Sequence, residues 1–137
     1  MTIDAVAPRM LPGLTDLNRA FWTGGRDGQL LILRCGSCGR WQHPPAESCS
    51  SCGGALTPQP ASGDGTIFTF TVDWHQYHPQ VPPPYVIAIV QLAEQDDLRL
   101  PTNIVGCEFD ELRCGIAVHV VFEQHGAFFV PLFELSR

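Results

Sequence analysis

The sequence contains no lysine, and only 16 % of its 137 residues are charged. The eight basic residues are all arginines, scattered from Arg9 to Arg137, and the formal net charge is −6. Proteins that bind nucleic acid through the phosphate backbone usually present a basic face or stripe. The charge pattern therefore argues against general nucleic-acid binding.

Long apolar segments are also missing. No apolar run approaches the ~18 residues that a membrane-spanning helix needs, so we expect a soluble protein with no membrane partner. The N-terminus does not show the pattern of a secretory signal peptide. We therefore expect a cytoplasmic location, in which cysteines remain reduced.

The familiar short catalytic motifs do not occur either. The chain has no Gly-x-Ser-x-Gly elbow, no phosphate-binding glycine loop and no His-Glu-x-x-His sequence. His75 and His78 stand three residues apart before a proline, and Cys107 and Cys114 lie outside any Cys-x-x-Cys pair. We interpret these as a polar loop and two ordinary cysteines, the alternative being direct chemistry on an acyl thioester. The sequence therefore predicts no catalytic residue.

The other four cysteines form two Cys-x-x-Cys pairs, at Cys35, Cys38, Cys49 and Cys52. Each pair can form a tight turn whose thiolates face one metal, and two such turns complete a tetrahedral site. Four sulfur ligands leave no position for water or substrate, so we predict a structural metal. Zinc is our prediction; a rubredoxin-like iron site uses the same ligands, and disulfides are the weaker alternative.

A short helix is predicted before the cysteine pairs. Apolar residues recur at helical spacing from Leu14 to Phe21, and two glycines stop the pattern. The neighbouring aromatics Phe21 and Trp22 have two interpretations. Both rings pack onto the rest of the protein, or the helix places them on a partner.

The remaining pattern is β. Strands at 29–34 and 40–43 lead into and out of the first cysteine pair, and Pro44-Pro45 forms a turn before the second. Five further strands are predicted at 66–73, 85–92, 102–105, 116–123 and 127–133. Five short strands with glycine bends suit a small closed barrel of the OB type. We predict a mainly β protein with a tail and short helix at 1–27, a zinc ribbon at 28–56 and an OB-fold barrel at 57–137.

Several motifs in this order resemble the acyl-CoA-associated OB-fold family with an N-terminal rubredoxin-like zinc ribbon, known as domain of unknown function 35. The resemblance covers residues 16–133. Besides the cysteine pairs, the motifs are Phe21-Trp22 before Gly28 and Leu30, Pro44-Pro45, Ser62 to Thr66, Pro84-Tyr85, Asn103 to Cys107, and a final segment with Gly115, Val118, Val120, Phe122 and Glu123. The chain departs from the family at Ala46, where an arginine is frequent, and at Glu94-Gln95-Asp96, where an acidic-glycine turn is frequent.

The resemblance implies a noncatalytic accessory subunit of a thiolase-fold acyl-CoA enzyme. Such enzymes include thiolases, aldolases and synthases of lipid or steroid side-chain metabolism. The same type of subunit accompanies enoyl-CoA hydratases, and it can help to hold or channel the acyl-CoA thioester. The alternative from another class is a single-stranded nucleic-acid-binding module, since OB barrels and zinc ribbons also serve that use.

Residue type and position suggest where ligands and partners would bind. Guanidinium groups bind phosphates and an indole can stack on adenine, so we predict CoA contacts at Arg34, Arg40 and Trp41. The alternative is that these arginines are only solvated or ion-paired. Candidate partner contacts are Phe21, Trp22, Trp74, His75 and Tyr77.

Overall fold

The structure, a computed structural model, describes residues 9–79 and 81–137. Within these ranges it contains one short α-helix, α1 (Arg19–Thr23), which continues into a 3₁₀ turn at Gly24–Asp27, and a second 3₁₀ turn at Phe109–Glu111. The strands are β1 (Leu30–Cys35), β2 (Trp41–Gln42), β3 (Leu56–Ala61), β4 (Asp64–Asp73), β5 (Tyr85–Leu92), β6 (Arg99–Thr102), β7 (Ala117–His125) and β8 (Phe128–Leu135). The predicted mainly β fold with a short N-terminal helix is confirmed. None of the helices in these ranges is long and apolar enough to cross a bilayer.

The first sheet carries the cysteine turns. It has the order β2-β1-β3, and all its pairs are antiparallel. Strand β3 was not predicted, because it contains Pro58 and Pro60 and prolines weaken a strand assignment. Both prolines fit here because β3 is an edge strand, and a residue without an N–H can occupy the positions that face outward. The sheet thus extends past residue 56, and the predicted boundary between ribbon and barrel stays a prediction.

The second sheet is the curled five-stranded sheet of an OB-fold, with the order β6-β5-β4-β7-β8. A parallel bridge between Ile104 and Phe133 joins the segment after β6 to β8, at the opposite edge. The strand that we predicted at 102–105 begins three residues earlier in the structure. Strand β6 (Arg99–Thr102) is the segment that pairs with β5. A bulge between Ile67 and Thr69 of β4 leaves Phe68 on the outside. The predicted OB-fold is confirmed.

The two sheets share one apolar core. Leu30 and Ile32 of β1 and Phe21 of α1 belong to the same buried cluster as Val90 of β5 and Phe133 of β8. The first sheet is thus anchored on the second by its own apolar side chains. The metal-site turns extend from this anchored sheet.

Candidate functional site

The four predicted metal ligands come together at the end of β1. Their Sγ atoms all lie within 4.8 Å of one another. The Cys35–Cys52 and Cys38–Cys49 sulfur pairs are 3.5 and 3.7 Å apart, and no disulfide links any of the chain's cysteines, which all lie in the described ranges. A tetrahedron of sulfurs ~2.3 Å from a central zinc ion has edges of ~3.8 Å. The four thiols therefore fit one tetrahedral metal ion.

The two cysteine turns have the same backbone geometry. The N–H of Gly39 donates to the carbonyl of Cys35 at 3.0 Å, and the N–H of Gly53 donates to the carbonyl of Cys49 at 2.9 Å. Both glycines are left-handed, with φ of 76° and 74°. A side chain at either position would be strained, so glycine is the residue that closes each turn.

Backbone N–H groups prepare two of the thiols for metal binding. The N–H of Cys38 donates to the Cys35 sulfur at 3.4 Å and helps to lower the pKa of Cys35 to about 6. The N–H of Cys52 lowers the pKa of Cys49 in the same way. The N–H of Gly54 also favours the Cys52 thiolate, but the adjoining sulfurs, Cys35 first, raise the pKa of Cys52 to about 12.

The raised pKa of Cys52 reflects the close approach of the four sulfurs. Sulfurs this close cannot all ionise without a cation between them, because neighbouring thiolates repel one another. A bound metal removes that conflict and holds the thiols deprotonated. The donor set therefore fits a structural metal, with all tetrahedral positions filled by sulfur.

The three predicted CoA contacts lie side by side, next to the metal site. Arg34 donates from Nε to the carbonyl of Gly39 at 2.9 Å, and its Cζ lies 4.9 Å from the centre of the Trp41 ring. Arg40 forms an ion pair with Asp97. Trp41 is only 9 % exposed. Each of the three thus has a partner within the protein.

Trp41 also connects the two sheets through the loop after β5. Its N–H donates to Gln95 Oε1 at 2.9 Å, and Gln95 Nε2 donates back to the carbonyl of Trp41 at 3.0 Å. The same Nε2 donates to Asp97 at 2.8 Å. Gln95 belongs to the stretch that departs from the family pattern, and here it holds the base of the metal site against the barrel.

The predicted partner contacts fall into two groups, of which the first is on α1. Phe21 is 8 % exposed, and its ring packs edge-on to Trp22 and against His43, each at a centroid distance of 4.8 Å. Trp22 is half-buried and keeps part of its indole at the surface. Burial lowers the pKa of His43 to about 4.

The second group lies on the loop after β4. Trp74 and Tyr77 are 69 % and 73 % exposed. The His75 ring stands 4.4 Å from that of Tyr77, and the Trp74 ring lies 5.9 Å from Phe109. Exposed aromatics of this size are typical of protein–protein contact surfaces.

Sequence reasoning missed Arg9, which lies between these two groups. Its Nε donates to Glu123 Oε1 at 2.8 Å and its Nη1 donates to Asn103 Oδ1 at 2.9 Å. His125 Nε2 lies 2.6 Å from the same Glu123 oxygen, and the Arg9 and His125 hydrogen bonds lower the pKa of Glu123 against the opposing effect of burial. These partners stand about a hundred residues from Arg9 in the chain, so no local motif marks them.

Two family models match different parts of the chain. Residues 22–57 match the family described as "ChsH2, rubredoxin-like zinc ribbon domain", and residues 58–123 match "ChsH2, C-terminal OB-fold domain". A "DUF35 domain-containing scaffold protein" of Methanocaldococcus jannaschii is 31 % identical over 100 residues, which are 69 % of this chain and 68 % of that protein. The chain belongs to the DUF35 family.

Solved DUF35 structures have the same fold. A structure titled "Ltp2-ChsH2(DUF35) aldolase" matches with a TM-score of 0.79 and 32 % identity, over 91 % of this chain and 98 % of that one. A DUF35 protein of unknown function from Sulfolobus solfataricus matches with a TM-score of 0.64 over 88 % of this chain and 86 % of that one. At 14 % identity, the second similarity shows the fold alone.

One relative is a longer protein. The "probable enoyl-CoA hydratase alpha subunit" of Thermomonospora curvata is 36 % identical over 115 residues. These residues are 81 % of this chain, which spans 35 % of the length of that relative.

Proposed function

We propose that this DUF35 chain is a noncatalytic accessory subunit that binds and stabilises a thiolase-fold acyl-CoA enzyme. The observation that carries the proposal is the similarity to the Ltp2-ChsH2(DUF35) aldolase structure, which extends over 91 % of this chain at 32 % identity. The Methanocaldococcus relative, named as a scaffold protein, supports the same role. The partner is then a thiolase, aldolase or synthase acting on an acyl-CoA thioester of lipid or steroid side-chain metabolism.

The metal in this proposal is zinc, with a structural role. Cys35, Cys38, Cys49 and Cys52 supply four thiolates at tetrahedral spacing, which is the ligand set of structural zinc sites. Iron binds the same set, so metal analysis of purified protein distinguishes them. The metal would hold the two turns against β1.

A second candidate partner is an enoyl-CoA hydratase. It is favoured by the Thermomonospora relative, which is named as a hydratase subunit and is 36 % identical to this chain over 115 residues. The two candidates differ in the enzyme that binds, not in the role of this chain.

Direct contact with CoA belongs to the same proposal, at Arg34, Arg40 and Trp41. A CoA phosphate would compete with Asp97 for Arg40, and it would meet the exposed guanidinium of Arg34. We expect the double variant Arg34→Ala, Arg40→Ala to weaken binding of a CoA ester to the assembled complex. Arg26→Ala, which removes another exposed arginine, is the control. Unchanged affinity in the double variant would exclude these contacts.

Co-purification tests the main proposal. The tagged chain is co-expressed with the thiolase-fold enzyme encoded beside it and, separately, with a neighbouring hydratase. Size exclusion with light scattering then gives the stoichiometry, and elemental analysis gives the metal. We expect a stoichiometric, zinc-containing complex whose enzyme loses activity or solubility when this chain is omitted. A chain that elutes alone, beside an active and soluble enzyme, would overturn the proposal.

A further inference from the structure

The side chain of Gln95 occupies the place of a neighbouring strand beside β2. Among the described strands, β2 has a neighbour, β1, on one side only. On the other side, the Trp41 N–H donates to Gln95 Oε1 at 2.9 Å, and Gln95 Nε2 donates to the Trp41 carbonyl at 3.0 Å. This is the pair of hydrogen bonds that a neighbouring strand would form. Because Trp41 is buried, removal of Gln95 would leave two backbone groups without partners where water reaches them poorly.

Strand β2 is in turn bonded to both cysteine pairs. The N–H of Cys35 donates at 2.8 Å to the carbonyl of Arg40, the residue before β2. Gln42, at the end of β2, bonds the second cysteine pair, because its Oε1 accepts from the N–H and the hydroxyl of Ser50 at 3.2 and 2.9 Å. A displacement of β2 would therefore move the backbone of both pairs and change the spacing of their sulfurs.

Gln95 itself belongs to the turn between β5 and β6, which is fixed to the barrel. The N–H of Leu98 donates to the Gln95 carbonyl at 3.1 Å, and the Leu98 side chain is buried in the common core. The N–H of Leu92 donates to the Leu98 carbonyl at 2.8 Å. Glu94 accepts from the N–H of Ser62 at 2.6 Å, in the link between the two sheets. The turn thus joins the barrel core to the outer edge of β2.

We propose that Gln95 is a positioning residue that couples the metal site to the turn after β5. With metal bound, the cysteine turns hold β2 where its outer edge meets the Gln95 amide. With Gln95 in place, β2 holds the cysteine turns at the spacing that binds the metal. Such coupling is reciprocal, so the metal stabilises the bonded turn by the same free energy by which Gln95 stabilises metal binding. This inference rests on the proposed structural zinc, and it adds that a loop of the barrel responds to metal occupancy.

The first test measures the release of zinc from the full chain to a chelator dye. Gln95→Ala removes both hydrogen bonds to Trp41, and Gln95→Glu keeps an acceptor for the Trp41 N–H but offers its carbonyl no donor. Gln124→Ala is the matched control, because Gln124 also bonds a backbone carbonyl, that of Gly126, but lies on the β7–β8 hairpin. Ile67→Val is a second control that lowers the stability of the barrel by shortening a buried side chain.

We expect both Gln95 variants to release zinc at least roughly fivefold faster than wild type, and both controls to release it within about twofold of the wild-type rate. Wild-type rates in both Gln95 variants would overturn the inference and leave the structural zinc standing. Equal acceleration in Ile67→Val would also overturn it, because release would then follow the stability of the whole protein.

The second test asks whether the turn responds to the metal. Removal of zinc from the wild-type chain should shift the NMR amide signals of residues 93–98 together with those of residues 40–42. In Gln95→Ala the signals of residues 93–98 should no longer respond to zinc, a difference that lowered stability alone does not produce. Turn signals that ignore zinc in the wild-type chain would overturn the inference. A wild-type chain that binds no metal would overturn the structural zinc and this inference together.

Discussion

Among single residues, Gly54 leaves space for the cysteine cluster because it has no side chain. A Cβ built there would lie 2.8 Å from the Cys35 sulfur and 2.9 Å from Ser37 Oγ. Gly54 has no left-handed φ, so space and not backbone conformation requires glycine here. Gly36, in the first turn, has open space instead, with the nearest atom 4.0 Å away.

This contrast predicts that the same substitution, glycine to alanine, has different effects at Gly54 and at Gly36. Gly54→Ala should displace Cys35 and lower the free energy of unfolding by ~1 to 3 kcal/mol, as overpacking does. It should also speed the loss of metal to a chelator. Gly36→Ala is the control and should behave as wild type. The rate of metal loss is measured by the absorbance of a chelator dye. Equal rates in the two variants would contradict the prediction.

We predict that His43 makes the free energy of unfolding depend on pH. Burial lowers its pKa from 6.5 to about 4 in the folded protein. Between pH 6.5 and pH 4, His43 binds a proton in the unfolded chain but not in the folded chain. The free energy of unfolding therefore falls as the pH drops from 6.5 towards 4. Well above pH 6.5 both states are neutral at His43 and the residue adds no pH dependence.

The matching experiment compares wild type with His43→Phe by denaturant unfolding at pH 7, 6 and 5. Wild type should lose up to ~1.4 kcal/mol per pH unit more than the variant below pH 6.5. Protonation of the metal ligands affects both proteins and cancels in the difference. If the free energy of unfolding changes with pH in the same way in both proteins, the His43 ring is accessible to protons in the folded state.

At the scale of elements, the 3₁₀ turn after α1 packs closely on the β7–β8 hairpin. A Cβ at Gly25 would lie 2.5 Å from Phe122 Cδ1 and 2.5 Å from Phe129 Cβ. The turn can approach the hairpin this closely because residue 25 has no side chain. This contact holds α1, and with it Trp22, beside the barrel.

Gly25→Ala should therefore displace the 3₁₀ turn from the β7–β8 hairpin. We expect a loss of ~1 to 3 kcal/mol in the free energy of unfolding, seen as a lower midpoint in thermal unfolding. Gly13→Ala is the control, since a Cβ at Gly13 meets no atom within 4 Å. If Gly25→Ala unfolds at the wild-type midpoint, the turn does not pack as the structure shows.

For the whole molecule, we expect the ribbon sheet and the barrel to depend on a bound metal to different degrees. The apolar residues of β1 are buried in the common core with the barrel strands. The turns at 35–38 and 49–52 contribute chiefly their thiols, and two of the four cysteines are exposed. Loss of the metal should release the turns first and leave the barrel folded.

Cys38→Ser tests this separation, with Cys114→Ser as the control because Cys114 is exposed and outside the cluster. We expect the first variant to lose its metal and the amide signals around Trp41 to shift or broaden in NMR spectra, while those of Val90 and Phe133 persist. The control should retain both metal and spectrum. Collapse of the barrel signals in Cys38→Ser would show that folding requires the metal throughout.

The β class, the order of ribbon and barrel and the grouping of the four cysteines were predictable from the amino-acid pattern, and the four cysteines as metal ligands stay a prediction. These depend on local spacing, which the chain expresses within a turn or a strand. Strand ends were less accurate, and β3 was missed, because a proline at an edge strand looks locally like a loop.

Which aromatic rings are buried, and which polar groups meet, depends on tertiary packing that the local sequence does not reveal. Phe21 and Trp22 are neighbours, yet the first is in the core and the second reaches the surface. Arg9 finds Glu123 from 114 positions away in the chain. Pairings at such separation leave no periodic or local signal, since they arise where the curled sheet brings distant segments together.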